Sequence, residues 1–377
     1  MASPVDILEQ SIQRVRTRIT HPIVVDAQAL GKIEYVCRCL SNRAGVRMLL
    51  TCTLAKVHNP DIDIRKPYTE IGTPDSFSGR AEYDEKFVGY FVAKYNLPVN
   101  ATTAFLTPGF RTINVPLALP LTISGRPKRM YVDTIDLLNL VYTGELASQD
   151  LLDESIRQLL ILKQEQDERM KQLLDNLGTS DKGIPLSVED IVTLISQHLR
   201  SPRSSRLPVL IVAAAYQCAA QQIGETVRPL YAHNAADLQT RSLGDIEITL
   251  ANDGEVVTCY EMKAKEVTRA DIDAAIAKLS STQTHIDNYI FITTGRIDAD
   301  VAAYAASLYR ATDGVEFVIL DCLGFLRHFL HLFHRLRIEF LDAYQELVLR
   351  EPDSAVNQPL KELFLTLRQA AEVDNGN

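Results

Sequence analysis

The chain has 377 residues, 46% of them hydrophobic, and a formal net charge of −9. That length suits two domains of ordinary size, and the acidic balance argues against a protein that coats nucleic acid non-specifically. The N-terminus is polar, no apolar run reaches membrane length, and the six cysteines form no CxxC pair. We therefore expect a cytoplasmic protein with free thiols and no membrane association.

Helical patterning dominates the first part of the chain. In chain order, the sequence predicts helices over 33–40 and 44–58, a loop over 60–79, a helix over 83–95, a proline-rich irregular stretch over 96–131, and helices over 132–143 and 150–177. Residues 1–130 hold 17 Lys and Arg against 11 Asp and Glu, so the acidic excess lies further along. Residues 1–180 are thus predicted to be a mostly helical region with a local basic surface able to bind nucleic acid.

The next part alternates helices and strands. After a linker over 179–184, a capping box at 187–190 opens a helix to 199. There follow an apolar helix over 205–222, strands over 244–250 and 256–263, a capped helix over 268–279, a strand over 288–294, a helix over 299–309, a strand over 315–320 and a helix over 323–344. This order predicts an α/β (α+β) core over 186–345, with a mixed sheet and the hairpin at one edge. A C-terminal extension, 346–377, is polar beyond Glu351 and should carry a last helix over 360–371 and a frayed end.

The predicted hairpin brings acidic and basic side chains together. Because residues two apart on a strand share a face, Asp245 and Glu247 point one way on the first strand. Glu261 and Lys263 share a face of the second strand for the same reason. The Asp-Gly pair at 253–254 is a strong hairpin signal, and folding there sets the acidic pair beside Glu261 and Lys263.

This group of side chains has the composition of a metal-dependent nuclease site. Magnesium prefers one or two carboxylates together with water and substrate phosphate. Asp245 and Glu261 are the predicted ligands, Glu247 is a second-rank ligand, and Lys263 would contact the scissile phosphate or position and deprotonate the attacking water. An ordinary exposed hairpin gives the same short pattern by chance, and that alternative stays open from the pattern alone.

At these residues the sequence resembles the PD-(D/E)XK nuclease superfamily. Asp245 matches the first acidic residue, on the second core strand, and Glu261-Met262-Lys263 matches the (D/E)-x-K on the third. Gly244 stands where the superfamily often has proline. The resemblance implies a restriction-endonuclease-like fold and hydrolysis of double-stranded DNA with Mg²⁺, for which Mn²⁺ can substitute. It also implies 5′-phosphate and 3′-hydroxyl ends.

Longer segments look like the SacI family of type II restriction endonucleases. They are Ser-Gly-Arg at 78–80, Ala-Thr-Thr-Ala-Phe-Leu-Thr-Pro at 101–108, Pro-Arg-Ser-Ser-Arg-Leu-Pro-Val-Leu at 202–210 and His-Asn-Ala-Ala-Asp at 233–237. This resemblance covers roughly residues 40 to 340. It implies sequence-specific cleavage by a homodimer at a two-fold symmetric site, with a DNA methyltransferase as genetic companion.

Candidate DNA contacts lie in loops and at a helix start. Arginine can read guanine in the major groove, and a helix N-terminus rich in serine and arginine suits phosphate. For Arg80, a surface pair with Glu82 or Asp84 is the alternative. The candidates are Ser78, Arg80, Arg111, Arg203, Ser204, Arg206 and Lys265, the last expected on the strand face of Lys263.

Some readings remain open from the sequence alone. Asp75 with Asp84-Glu85-Lys86 also spells an acidic residue followed by D-x-K, although 84–95 is patterned as a helix. Glu225 and Asp237 are further acids that could join the metal site. The alternative functions are a repair or structure-specific nuclease of the same fold, and a non-catalytic DNA-binding protein with a residual nuclease core.

Overall fold

The structure is a computed structural model that describes residues 2–100, 102–111, 113–121, 123–177, 185–230, 242–282 and 286–374. The chain divides into two compact units, residues 1–168 and 169–377. The division falls inside a long helix rather than after residue 180, and the predicted linker, 179–184, lies outside the described residues. Within the described ranges, no helix is long and apolar enough to cross a membrane. All six cysteines are free thiols, as expected.

The first unit is helical. The predicted helix over 44–58 is confirmed to the residue. Its residues 44–55 are all buried, as its apolar sequence requires. The α-helices of the first unit are α1 (Pro4–Thr17), α2 (Ala27–Arg38), α3 (Ala44–His58), α4 (Gly89–Lys94), α5 (Lys128–Thr143) and α6 (Ser148–Leu177). The last of these, α6, continues into the second unit.

The helix predicted over 83–95 is two elements, a π-helical segment (Gly79–Val88) that runs into α4. Within it Asp84 is fully buried and accepts hydrogen bonds from Arg47 Nε at 2.6 Å and Thr51 Oγ1 at 2.9 Å. Asp75 instead pairs with Lys66 at 2.8 Å. The second acidic pattern is therefore structural, since its two aspartates serve separate ion pairs.

The second unit contains a five-stranded mixed sheet, and the predicted fold class is confirmed. Its strands are β1 (Glu225–Val227), β2 (Ile246–Leu250), β3 (Val256–Lys263), β4 (Asn288–Thr293) and β5 (Glu316–Asp321), in the order β1-β2-β3-β4-β5. The first three strands pair antiparallel and the last three pair parallel. The hairpin is thus not at the sheet edge: β1, too short to be read from the sequence, flanks it, and β3 is central.

Helices cover both faces of this sheet. They are α7 (Val188–Leu199), α8 (Leu207–Ile223), α9 (Arg269–Ser280), α10 (Ala299–Ser307), α11 (Cys322–Leu332), α12 (Arg337–Arg350) and α13 (Gln358–Asp374). The single helix predicted over 323–344 is instead α11 and α12, separated by a 3-10 turn at His334–Leu336. Strand alternation sends Ile246 and Tyr260 into one core, with α8, and Cys259 and Phe291 into another, with α9.

The C-terminal segment is part of the second unit's core. The predicted last helix is confirmed, but the expectation that 346–377 is an extension of the core is wrong, because Leu360, Phe364 and Leu365 of α13 are at most 3% exposed and pack among the residues of α7 and α12. The fully buried His198 of α7 joins these helices. Its Nδ1 accepts from the Tyr344 hydroxyl at 3.0 Å, and its Nε2 donates to the Leu360 carbonyl at 3.0 Å.

This histidine makes stability depend on pH. Burial lowers the pKa of His198 from 6.5 to about 4. As the pH falls below 6.5 the unfolded chain takes up a proton that the folded chain refuses until about pH 4. The stabilisation is therefore complete above the unfolded pKa and is lost on acidification, by up to about 3 kcal/mol. We expect urea unfolding between pH 7 and 4.5 to show a steeper fall in stability for the wild type than for His198→Gln; equal slopes would contradict this assignment.

Candidate active site

The register of the hairpin brings the first two acidic residues together. Ile246 pairs with Tyr260 in the antiparallel ladder, so one step further along places Asp245 opposite Glu261. The Asp245 carboxylate is fixed there, because its Oδ2 accepts a hydrogen bond from the Met262 backbone N–H at 2.7 Å. Both carboxylates therefore lie on one face of the sheet, where β2 begins and β3 ends.

Gly244 allows this close approach. A Cβ atom at position 244 would lie 2.6 Å from the Tyr260 carbonyl oxygen, a distance that real Cβ atoms do not tolerate. The clashing atoms belong to the backbone of β3, which cannot move aside as a flexible side chain could. Glycine at the position where the superfamily often has proline is therefore a requirement of the β2–β3 packing in this chain.

Glu261 is a partly desolvated carboxylate beside another acid. Its side chain is 23% exposed. Burial raises the pKa of Glu261, the negative charge of Asp245 raises it further, and Lys263 offsets only part of this. The Tyr289 hydroxyl of β4 lies 3.4 Å from Glu261 Oε2. Two carboxylates thus lie close together in a partly buried position, an arrangement that a cation stabilises.

Lys263 links the acidic pair to helix α9. Its Nζ lies 3.2 Å from Glu261 Oε1 and 3.2 Å from Asp271 Oδ1. Burial lowers the pKa of Lys263, but Glu261 and Asp271 together raise it by more, so the net shift is upward and the group is an ammonium. Asp271 is itself held by the capping box with Thr268 that starts α9. The start of this helix therefore fixes the position of the lysine.

The donor set fits a hard divalent cation with an incomplete protein shell. Asp245 and Glu261 offer carboxylate oxygens, and Asp245 Oδ1 has no hydrogen-bond partner among the described residues. Within the same residues no group of three or more His, Cys, Asp or Glu side chains converges. Magnesium usually keeps several waters and takes one or two carboxylates plus substrate phosphate, which these two acids can provide.

A comparison with known protein families found a match to this chain. Residues 185–296 match the family model of the SacI restriction endonuclease C-terminal domain. The match supports a restriction endonuclease, and hence a nuclease that binds DNA. A comparison with curated proteins found no match.

The SacI domain match includes every residue of the site described above. Asp245, Glu261, Lys263, Asp271 and Tyr289 all fall between 185 and 296. The remaining helices of the second unit, α10 to α13, and the whole first unit lie outside it. The wider resemblance, from roughly 40 to 340, stays a prediction beyond the matched residues.

Glu247 has a different environment from the other two acids. It is 4% exposed. Its Oε1 accepts from the Leu243 backbone N–H at 2.7 Å and from Ser242 Oγ at 3.2 Å, and its Oε2 pairs with Arg228 Nη1 at 3.2 Å. Both carboxylate oxygens are thus engaged by protein donors. The predicted role of Glu247 as a second-rank metal ligand therefore does not fit its environment, although it shares the strand face of Asp245.

The other acids considered for the metal site are not brought to it. Glu225 begins β1 and lies near Tyr260, which faces the opposite side of β3 from Glu261; burial raises the pKa of Tyr260, and the charge of Glu225 adds to that rise. Asp237 lies outside the described residues. Lys265 follows the end of β3 instead of extending it, so its predicted place on the strand face of Lys263 is wrong. It is exposed in the loop before α9.

In the first unit the proposed DNA contacts are surface residues. Ser78 is half-buried at the start of the π-helical segment, next to a buried Gly79. Arg80 is 50% exposed and pairs with Glu85 at 2.8 Å, not with the acids anticipated. Arg111 is exposed and follows the buried Phe110.

Before α8 the structure separates three candidates that the sequence grouped together. Arg203 is exposed, with a left-handed φ of 66°. Ser204 Oγ donates to the Leu199 carbonyl at 2.6 Å. Arg206 is only 5% exposed and lies 2.9 Å from Glu351. Its predicted DNA contact is corrected to a structural role, since a buried and paired guanidinium does not reach a phosphate.

Two residues of the site were not predicted as such. The sequence showed Asp271 as a helix cap, but nothing in a capping box indicates that the same carboxylate pairs with Lys263. Tyr289 lies in an apolar strand. A hydroxyl in a strand that should be fully buried was the one feature of the sequence that could have indicated its role. Its OH donates to the Leu243 carbonyl at 3.0 Å.

The close approach at Gly244 generates a stability prediction. We expect Gly244→Ala to lower the free energy of unfolding by about 1–3 kcal/mol, because the new methyl group must displace backbone. Gly254→Ala in the turn of the same hairpin is the control, since a Cβ there meets nothing within 4 Å. Urea unfolding of both variants measures the effect, and equal stability of the two would contradict the packing argument.

The Arg206–Glu351 pair generates a second prediction. The two side chains are 6% and 11% exposed. Removing one partner of a buried pair leaves the other charge desolvated, so Arg206→Ala should destabilise the protein by about 3–5 kcal/mol. The exposed Arg310→Ala in the same unit should leave stability within about 0.5 kcal/mol of the wild type. Denaturant titration distinguishes the two, and a stable Arg206→Ala protein would contradict the structural role.

Proposed function

We propose that this chain is a type II restriction endonuclease that uses Mg²⁺ to hydrolyse phosphodiester bonds of double-stranded DNA at specific sequences. The observation that carries the proposal is the placement of Asp245 opposite Glu261, with Lys263 two residues further along the same strand. The SacI domain match supports the same class of activity. Three side chains of these types, converging on one face of a sheet, form the minimal set for metal-assisted phosphodiester hydrolysis.

Each residue has a distinct role in the proposed reaction. Asp245 and Glu261 would hold Mg²⁺, for which Mn²⁺ can substitute. When bound, the cation stabilises the charge that develops on the phosphate and lowers the pKa of the attacking water. Lys263, an ammonium held between two carboxylates, would contact the scissile phosphate and orient the water. Water attack breaks the bond between phosphorus and the 3′ oxygen, which leaves a 5′-phosphate and a 3′-hydroxyl.

The proposed DNA contacts follow from exposure and charge. An exposed ion pair such as Arg80–Glu85 contributes at most about 1 kcal/mol, so the arginine can exchange its carboxylate for DNA at little cost. Phosphate contacts fix the position of the protein, whereas base contacts give specificity. The residues that we propose for these contacts are Ser78, Arg80, Arg111, Arg203, Ser204 and Lys265.

The type II assignment brings further proposals. Cleavage of both strands at a two-fold symmetric sequence favours a homodimer with one active site for each strand. A restriction enzyme of this kind also requires a DNA methyltransferase of matching specificity to protect the host DNA. We place the homodimer and the methyltransferase together in the cytoplasm in this proposal.

Plasmid digestion tests the proposed function. With Mg²⁺, we expect the wild type to cut a mixed-sequence plasmid into discrete bands. Asp245→Ala and Lys263→Ala should each reduce cutting by more than about a hundredfold, because each removes a group required for a step that the others cannot perform. Glu255→Ala, an exposed glutamate in the turn of the same hairpin, should cut at the wild-type rate.

The outcomes separate the alternatives. Cutting at the wild-type rate by both Asp245→Ala and Lys263→Ala would contradict the assignment of these residues to the active site. Cutting only at branched or damaged DNA, without discrete bands on plasmid, would favour a repair nuclease of the same fold. A wild type that binds but never cuts varied DNA would favour a non-catalytic DNA-binding protein.

A further inference from the structure

The segment before Asp245 is held by two buried polar groups. The Leu243 backbone N–H donates to Glu247 Oε1 at 2.7 Å, and its carbonyl accepts from the Tyr289 hydroxyl at 3.0 Å. We call these two hydrogen bonds the Leu243 clamp. Glu247 and Leu243 are each 4% exposed, and Tyr289 is 1% exposed, so water does not compete for either bond.

The clamp holds Leu243, two residues before Asp245, through one side chain from β2 and one from β4. Glu247 belongs to β2, the strand that Asp245 precedes, whereas Tyr289 belongs to β4, on the far side of β3. The same Tyr289 hydroxyl lies 3.4 Å from Glu261 Oε2. Tyr289 therefore contacts both sides of the site. It binds the backbone that leads to Asp245, and it lies beside the carboxylate of Glu261.

The second oxygen of Glu247 connects the clamp to the edge strand. Arg228 Nη1 lies 3.2 Å from Glu247 Oε2, and the Arg228 backbone N–H donates to the Glu247 carbonyl at 2.9 Å. Arg228 also donates from Nη2 to the Gly254 carbonyl at 3.2 Å, at the turn of the hairpin. The carboxylate of Glu247 is thus fully occupied in joining β1, β2 and the segment at 242–243.

We propose that Glu247 is a positioning residue that, together with Tyr289, holds Leu243 and so sets Asp245 opposite Glu261. This inference rests on the proposed function and replaces the expected role of Glu247 as a metal ligand. The two roles make different demands on the side chain. A ligand needs the negative charge, whereas the clamp needs an acceptor at the position of Oε1. An amide oxygen supplies that acceptor.

The test compares Glu247→Ala with Glu247→Gln, with Glu255→Ala as control. We expect Glu247→Ala to lower kcat for DNA cleavage by about 10–100-fold, the usual effect of losing a group that orients a metal ligand, with KM for DNA within about twofold. Glu247→Gln should recover most of this loss, because its amide oxygen can still accept from the Leu243 N–H. Glu247→Gln as inactive as Glu247→Ala would overturn the proposal in favour of a metal ligand.

Hydrogen exchange provides a readout that does not depend on activity. In the peptide that covers 242–246, we expect exchange to be more than about tenfold faster in Glu247→Ala than in the wild type or Glu255→Ala, because the Leu243 N–H loses its buried acceptor. Unchanged exchange in this peptide would overturn the clamp even if the cleavage rate falls.

Tyr289→Phe tests the other half of the clamp and keeps the ring stacked on Phe317. This variant should fold like the wild type by circular dichroism, exchange faster in the same peptide and cut several-fold more slowly. If both readouts match the wild type, the proposal fails. A wild type that cuts no DNA would refute the proposed function instead, and the exchange experiment would still decide whether the clamp exists.

Discussion

The antiparallel register of β2 and β3 is the constraint on which the proposed site depends. Pairing Ile246 with Tyr260 places Asp245 opposite Glu261, and a slip of one residue would send one of the two carboxylates to the opposite face of the sheet. The register is fixed from both sides. Ile246 and Tyr260 are buried in one core, and Cys259 is buried in the other, so any slip would expose apolar side chains and bury polar ones.

The same sheet face must also bury charge, and it does so through linked polar groups. Glu261 and Asp271 share the ammonium of Lys263, and the Asp271 carboxylate is anchored at the start of α9. Unpaired charges in this position would be costly, whereas a connected set offsets part of that cost and orients each group. The arrangement leaves a local excess of negative charge at Asp245 and Glu261, which is the electrostatic condition for attracting a divalent cation.

Three acids of the hairpin look equivalent in the sequence and differ in the structure. Asp245 keeps one oxygen without a partner among the described residues, and Glu261 lies between a like charge and an ammonium. Glu247 has both oxygens engaged by donors from two other segments of the chain. The environment of each carboxylate, not its residue type or its strand face, is the basis on which we propose metal binding for Asp245 and Glu261 and positioning for Glu247. The arginines before α8 show the same principle, since burial against Glu351 distinguishes Arg206 from Arg203.

The sequence by itself determined the parts of the molecule that depend on local patterns. Alternation and turn chemistry predicted β2 and β3 and the shared face of Glu261 and Lys263, and capping boxes predicted the starts of α7 and α9. Tertiary structure decided what depends on residues distant in the chain. It placed the three-residue β1 at the edge of the sheet and packed α13 into the core. It also engaged Glu247 with Leu243 and Arg228, and paired Asp271 with Lys263. The physical reason is that periodicity records which way a side chain points, whereas hydrogen bonds and burial depend on what another segment places there.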